Sequence, residues 1–330
     1  MYFAFLVLAA AAPASDIQRV DTLQVEEWRV PWGAATRPRD PDVAPDGKVW
    51  FVGQQGHYLA YFDPSSGRFE RFDLEPGAGP HNQIVDPQGR VWYAGNRVAH
   101  IGMFDPATRK IAKFDMPDST PRDPHTLVFD GRGHIWFTAQ QGQHVGRLDM
   151  RSGKIDLIFT GANTNPYGIK LDSRGHPWVV LFRTNRILTI DPATLQKREY
   201  TLPNERTRPR RLEIGPDDMV WYADYTRGFL GRLDPRTGKV DEFALPGGQN
   251  AQPYGTALDD RGRIWISITN DAPGRLVGFD TRTLQVTHVA ILKSQQENGK
   301  NTIRHMVFHR PTRTVWYATD AGTLGRLRVP

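Results

Sequence analysis

Three histidines of this chain stand at the same distance from a tryptophan. His81, His125 and His305 each precede a tryptophan by eleven residues. A neutral imidazole can accept a proton near neutral pH, or bind a metal through a ring nitrogen. Three imidazoles at equivalent positions therefore favour one shared site. In four further segments the corresponding position holds a large hydrogen-bonding residue: Arg39, Tyr167, Arg210 and Tyr254.

A sevenfold repeat explains this spacing. Its tryptophans recur every 42 to 51 residues, at Trp50, Trp92, Trp136, Trp178, Trp221, Trp265 and Trp316. Each follows a turn such as "PDGKVW" or "PQGRVW", and six of them precede a second turn such as "FDPSSG". Alternating apolar and polar residues between the turns are typical of β-strands. Four short strands in about 43 residues form a propeller blade, so the sequence predicts an all-β, seven-bladed β-propeller with four-stranded blades.

The seventh copy lacks a fourth strand, because "TDAGTLGRLRVP" provides only the third. Residues 22–31, "TLQVEEWRVP", resemble fourth strands such as "KVDEFALP". We expect this N-terminal strand to complete the last blade and close the ring, which leaves no open sheet edge. No linker or change of composition divides the repeats, so we expect a single domain over residues 22–330.

The chain begins with an apolar run that ends in Ala12-Pro13-Ala14. This pattern predicts a secretory signal over residues 1–14, a periplasmic or secreted protein, and no membrane span after signal removal. With no cysteine, the chain has neither disulfides nor thiolate ligands. Its 42 Lys and Arg against 36 Asp and Glu are scattered near turns, so no nucleic-acid partner is expected. We expect a monomer.

The innermost strand of each blade lines the central channel, and the seven positions eleven residues before the tryptophans fall near its start. They are therefore expected to form a ring at one channel mouth, where a small-molecule substrate would bind. The tryptophans themselves are expected to pack between blades. Positions three and four after each tryptophan lie across the first hairpin and share this end; the only acids among them are Asp224 and Asp320.

This set of residues could bind and activate a carbonyl compound. A histidine would act as the base, while Arg39 and Arg210 would neutralise an oxyanion. Tyr167 and Tyr254 would orient the substrate. A polar channel filled with water and free of chemistry is the structural alternative.

The segments "NPYGIKLDSRGHPW" and "WYADYTRGFLGRLDPRTGKVDEFALP" resemble the virginiamycin B lyase (streptogramin lyase) family of seven-bladed propellers. The resemblance extends over residues 22–330. In that family a histidine of the last inner strand is the base, beside Mg²⁺ held by two glutamates, and a lactone ring opens by elimination. The resemblance implies that His305 is the base and Asp320 one metal-binding carboxylate. Ile303 stands where the second glutamate would be.

Loss of one carboxylate should weaken a Mg²⁺ site, and it argues against streptogramin itself as the substrate. His81 and His125 could instead bind Zn²⁺ or another transition ion together with Asp320. The resemblance favours a lyase that acts on a small lactone or ester. Two alternatives stay open: a non-catalytic propeller that binds a ligand or a protein, and a gluconolactonase-like hydrolase.

Overall fold

Seven β-sheets arranged in a ring make up the computed structural model, which describes residues 20–117, 123–296 and 301–330. The predicted signal at residues 1–14 lies outside the described residues. Within the described ranges, no helix is long and apolar enough to cross a membrane. The inner strands of neighbouring sheets contact each other around the whole ring. The predicted seven-bladed all-β propeller is therefore confirmed.

The chain runs through the blades in order, with each blade built from its inner strand outwards. Two strands precede the first blade: β1 (Asp21–Leu23) and β2 (Val25–Arg29). Blade 1 has β3 (Pro38–Val43), β4 (Val49–Gly53), β5 (Tyr58–Asp63) and β6 (Arg68–Asp73). Blade 2 has β7 (Gln83–Val85), β8 (Val91–Gly95), β9 (His100–Asp105) and β10 (Lys110–Asp115). Blade 3 has β11 (Pro124–Phe129), β12 (His134–Ala139), β13 (His144–Asp149) and β14 (Ile155–Phe159).

The remaining blades follow the same order. Blade 4 has β15 (Pro166–Leu171), β16 (Pro177–Leu181), β17 (Arg186–Ile190) and β18 (Lys197–Thr201). Blade 5 has β19 (Pro209–Ile214), β20 (Val220–Asp224), β21 (Phe229–Leu233) and β22 (Val240–Ala244). Blade 6 has β23 (Pro253–Leu258), β24 (Arg263–Ile268), β25 (Arg275–Asp280) and β26 (Gln285–Ile291). Blade 7 has β27 (Ile303–His309), β28 (Thr314–Thr319) and β29 (Thr323–Arg328); short 3₁₀ turns occur at Ala34–Thr36, Gly248–Asn250 and Arg310–Thr312.

The N-terminal segment closes the ring in two steps. Strand β2 pairs antiparallel with β29, with Glu27 opposite Gly325, and so supplies the fourth strand of blade 7 as predicted. The first part of the predicted strand behaves differently: β1 pairs in parallel with β26 and adds a fifth strand to blade 6. The N-terminal segment therefore pairs with strands of both blade 6 and blade 7.

The repeated tryptophans are core residues, as expected, and none is more than 2 % exposed. In several blades the indole N–H donates to the aspartate that opens the preceding turn; the bond from Trp92 to Asp86 measures 3.0 Å, and that from Trp265 to Asp259 also measures 3.0 Å. In these blades the turn is therefore hydrogen-bonded to a core residue of the same blade.

Candidate functional site

The structure brings six of the seven predicted ring residues together at one level of the channel. The imidazoles of His81 and His125 lie with ring centroids 3.6 Å apart, and His125 is 4.4 Å from the ring of Tyr167. The Tyr167 hydroxyl shares a hydrogen bond with that of Tyr254. The Arg210 guanidinium lies 3.7 Å from the Tyr254 ring centroid. These contacts connect blades 2 to 6 across the channel.

Blade 1 supplies the sixth residue, Arg39, which is 3 % exposed. Its guanidinium donates to Gln54, four residues after Trp50, at 3.0 Å. In blade 1, this contact places a residue that follows the tryptophan at the same end of the channel as the ring.

Blade 7 departs from the prediction by one residue. In blade 6 the strand pair that opens the hairpin joins Pro253 to Ile268, and Tyr254 is the next residue. In blade 7 the equivalent pair joins Ile303 to Thr319, and these two residues are separated by one more residue than Pro253 and Ile268 are. The added residue lies in the hairpin, whose connection forms the 3₁₀ turn Arg310–Thr312. Arg304 therefore occupies the ring position, and His305 lies one step deeper.

His305 belongs to a second level of the channel, formed by the residues that follow the ring positions. At this level Asp40 accepts hydrogen bonds from Arg39 at 2.9 Å and from Asn82 at 2.9 Å. Arg211 donates to Thr126 at 3.1 Å. Sequence reasoning missed Asp40, Arg211 and Arg304. A signal was available, since "PRD" and "PRR" place a second charge directly after the ring residue.

The channel carries an excess of positive charge. Among the described residues, the two levels hold four guanidinium groups, those of Arg39, Arg210, Arg211 and Arg304, and the carboxylate of Asp40. Burial opposes ionisation of Asp40, but the charges of Arg39 and Arg211 and the hydrogen bond from Asn82 outweigh it and lower its pKa well below the usual range. Asp40 is therefore an anion.

The same charges influence the protonation states of the histidines and tyrosines in the channel. Burial, together with the charge of nearby arginines, lowers the pKa of His81 and of His125 far below 6.5. Burial likewise lowers the pKa of His305 to about 3. Burial alone would raise the pKa of Tyr167, but the guanidiniums of Arg210, Arg211 and Arg39 lower it below its ordinary value of 10. The imidazoles are neutral, and Tyr167 is the more acidic partner of the tyrosine pair.

The two acids named from the sequence are already paired. Asp320 forms a two-point ion pair with Arg304, whose Nη2 and Nε lie 2.5 and 3.2 Å from the carboxylate oxygens. Asp224 is buried and accepts the backbone N–H of Arg208 at 3.0 Å, which holds the loop that enters blade 5. Neither carboxylate is arranged as a free ligand.

The residues of the channel do not fit a divalent cation. In the described ranges, no group of three or more His, Asp or Glu side chains is placed to hold a metal ion. The rings of His81 and His125 contact each other at an interplanar angle of 34° and lie close to the charges of Arg39 and Arg211, and Asp320 is paired with Arg304. A divalent ion would add charge to an already cationic channel.

Two cavities open on either side of the ring. The mouth cavity, of about 250 Å³, is lined by Arg210, Tyr225, Tyr254 and Arg304, together with the polar residues Gln252, Thr269, Asn270, Gln296 and Thr302. The second, of about 280 Å³, lies at the opposite end and is the one that His305 lines. Of the predicted residues, Arg210 and Tyr254 face the mouth, whereas His81 and His125 are packed within the ring.

The comparisons with known proteins agree with this architecture. The model of the Virginiamycin B lyase family matches residues 10–276. A virginiamycin B lyase from Staphylococcus aureus is 21% identical, with a TM-score of 0.80, over 93% of this chain and 99% of that one. A streptogramin B lyase is 24% identical, with a TM-score of 0.80, over 93% and 97%. No curated protein sequence matches this chain.

One of the similar structures concerns a catalytic histidine. It is a catalytically inactive histidine-to-alanine variant of the Staphylococcus aureus enzyme with quinupristin, 21% identical to this chain with a TM-score of 0.80. It covers 93% of this chain, and the match extends over 99% of its own. At this level of identity the likeness establishes the fold.

Proposed function

The chain belongs to the virginiamycin B lyase family, and on that basis we propose that it is a carbon–oxygen lyase acting on a small lactone or ester that carries negative charge. The observation that supports this most directly is the pairing of Arg210 and Arg304 with Tyr254 in one mouth cavity. Guanidinium groups bind carboxylate and enolate oxygens through directed hydrogen bonds. Elimination next to a carbonyl requires a base and, beside it, a group that binds the oxygen of the enolate.

The tyrosine pair provides the base in this proposal. Tyr254 lines the cavity, and its hydroxyl is hydrogen-bonded to Tyr167, which lies deeper and has the lowered pKa. In the reactive form Tyr167 is a phenolate, which its lowered pKa of about 8 favours. As Tyr254 accepts the proton next to the carbonyl, its own proton moves to the Tyr167 phenolate oxygen. The electron pair of the broken C–H bond forms the double bond, and the C–O bond breaks with its pair on the leaving oxygen. The charge that develops on the carbonyl oxygen faces Arg210.

Arg304 has a second role in the proposal. Its ion pair with Asp320 fixes the guanidinium at the cavity wall, while Arg210 is held against the Tyr254 ring. Two pre-positioned cations need little reorganisation during the reaction. The Nε atom of Arg210 is buried without a hydrogen-bond partner in the described structure, so a substrate oxygen could satisfy it.

The test is a turnover assay on a panel of lactones and cyclic esters, with and without added divalent metal. A product with a conjugated double bond and no oxygen from isotopically labelled water indicates elimination; label incorporation indicates a hydrolase. Tyr254→Phe is expected to lower kcat by about 10²–10⁴-fold. Tyr200→Phe removes the hydroxyl of an outer-strand tyrosine bonded to Pro235 and serves as the control. Full activity in Tyr254→Phe and none in His305→Gln would instead assign the base to His305.

A binding protein without turnover is the second candidate. The closed ion pair between Arg304 and Asp320 supports it, because it engages the Asp320 carboxylate, which would otherwise be free to assist chemistry at that wall. Saturable binding of a panel member, with no product under either metal condition, would favour this candidate. Secretion through the signal at residues 1–14 and a monomeric state complete the proposal.

A further inference from the structure

The cavity at the end opposite the mouth is separate from the proposed reaction site. It has no lining residue in common with the mouth cavity. Between the two lie the ring side chains of His125, Tyr167 and Tyr254, none more than 3 % exposed. This packed layer divides the channel into two compartments.

Buried polar atoms that lack a hydrogen-bond partner gather on side chains that line this second cavity. Within the described structure they are Gln83 Oε1, Arg211 Nη2 and His305 Nδ1. Gln83 is 1 % exposed and Arg211 is 4 % exposed. Buried polar groups in native proteins are nearly always paired. A molecule that supplies both an acceptor and a hydrogen-bond donor would satisfy these three atoms.

Arg211 is the lining cation whose charge is least fully compensated. Arg211 Nη2 lies 3.8 Å from Asp40, but Asp40 already pairs with Arg39, so two guanidiniums share one carboxylate. Lys170 and Glu213 neutralise each other at 3.1 Å. The remaining acid, Asp42, accepts the backbone N–H groups of Val43 and Val85, and burial raises its pKa to about 6.

Most of the remaining wall is apolar. Ile84, Val128, Phe129 and Val307 lie on the inner strands towards the exit of the cavity. A volume of about 280 Å³ suits a small metabolite. We propose that this cavity binds a short hydroxycarboxylic acid, with the carboxylate on Arg211, the hydroxyl on Gln83 or His305, and the carbon chain against Val128 and Val307.

Calorimetric titration of the whole protein with 3-hydroxybutyrate tests this proposal. Binding is expected to be saturable, and butyrate or 1,3-butanediol, which lack the hydroxyl or the carboxylate, should bind at least about 10-fold more weakly. Val307→Phe fills the cavity with an apolar side chain and should abolish binding. Arg210→Met alters the mouth and should leave binding unchanged. If Val307→Phe does not fold, Val128→Phe fills the same space.

Several results would overturn the proposal. One is the absence of any heat of binding for all three probes at about 10 mM, which would mean that the cavity holds only water. Another is binding that persists when the cavity is filled, which would place the ligand elsewhere. If butyrate bound as tightly as 3-hydroxybutyrate, the hydroxyl would contribute nothing, and Gln83 and His305 would not bind it as proposed. Because the titration needs no turnover, its outcome is independent of the lyase assay.

Discussion

At the scale of single residues, the fold keeps the channel histidines neutral, and this couples stability to pH. Burial lowers the pKa of His125 far below 6.5, whereas in the unfolded chain its pKa returns to about 6.5. Below that pH the unfolded state binds a proton that the native state does not. The stability contributed by His125 is therefore complete above about pH 6.5, and it declines by up to ~1.4 kcal/mol per pH unit as the pH falls.

Thermal unfolding measured between about pH 7.5 and pH 5 checks this sign. The melting temperature is expected to fall with decreasing pH, and less steeply in His125→Gln. His144→Gln, which removes a partly exposed histidine of β13, is the matched control. A melting temperature that rises on acidification would show that the channel imidazoles are protonated in the folded protein.

At the scale of the strand, the repeat fixes a close contact between two neighbouring strands of one blade. The glycine of each "G-R-L" segment faces the aromatic residue after the tryptophan. A Cβ added at Gly146 would lie 2.0 Å from Cζ of Phe137, and one at Gly231 would lie 2.0 Å from Cζ of Tyr222. Only a residue without a Cβ leaves space for these rings.

Gly146→Ala is therefore expected to destabilise the protein by about 1–3 kcal/mol through overpacking. Phe137→Leu removes the atoms that clash, so the double variant should lose less free energy than the two single variants added together. Denaturant unfolding of all four proteins measures the coupling. Strict additivity would mean that the backbone shifts to accommodate the methyl group and that the contact carries no strain.

At the level of strands and turns, the blades could be predicted from the sequence, but the register of blade 7 could not. The period, the turns and the tryptophans predicted every blade, because each repeats the same local chemistry. The ring was predicted by counting back from the tryptophan, which works only if every hairpin has the same length. Blade 7 replaces the usual Asp-x-x-Gly turn with "HRPTRT", and its extra residue moved His305 inwards and Arg304 into the ring.

The three-residue strand β1 could not be predicted separately from β2, because both lie in one continuous run of strand-like residues. Contacts between side chains of distant blades, such as Arg211 with Asp40 and Tyr167 with Tyr254, join residues whose proximity depends on the closed ring. Local patterns contain no information on them.

At the scale of the whole molecule, the N-terminal segment holds together the first and last blades. Trp28 of β2 packs 5.8 Å from Trp316 of blade 7 and 4.7 Å from Phe62 of blade 1, measured between ring centroids. Glu27 accepts a hydrogen bond from the Tyr317 hydroxyl at 3.0 Å. Strand β1 contributes only three residues, of which Asp21 and Thr22 are exposed.

Two truncations separate these contributions. Removal of residues 1–23 deletes β1 alone and should lower the melting temperature by a few degrees, because blade 6 keeps its own four strands. Removal of residues 1–29 also deletes β2, and it leaves β29 as an unpaired edge beside an uncovered Trp316. We expect that protein to aggregate or to unfold without cooperativity, as followed by light scattering and circular dichroism. A monomeric, cooperatively folded protein without β2 would show that contacts between inner strands alone hold the ring closed.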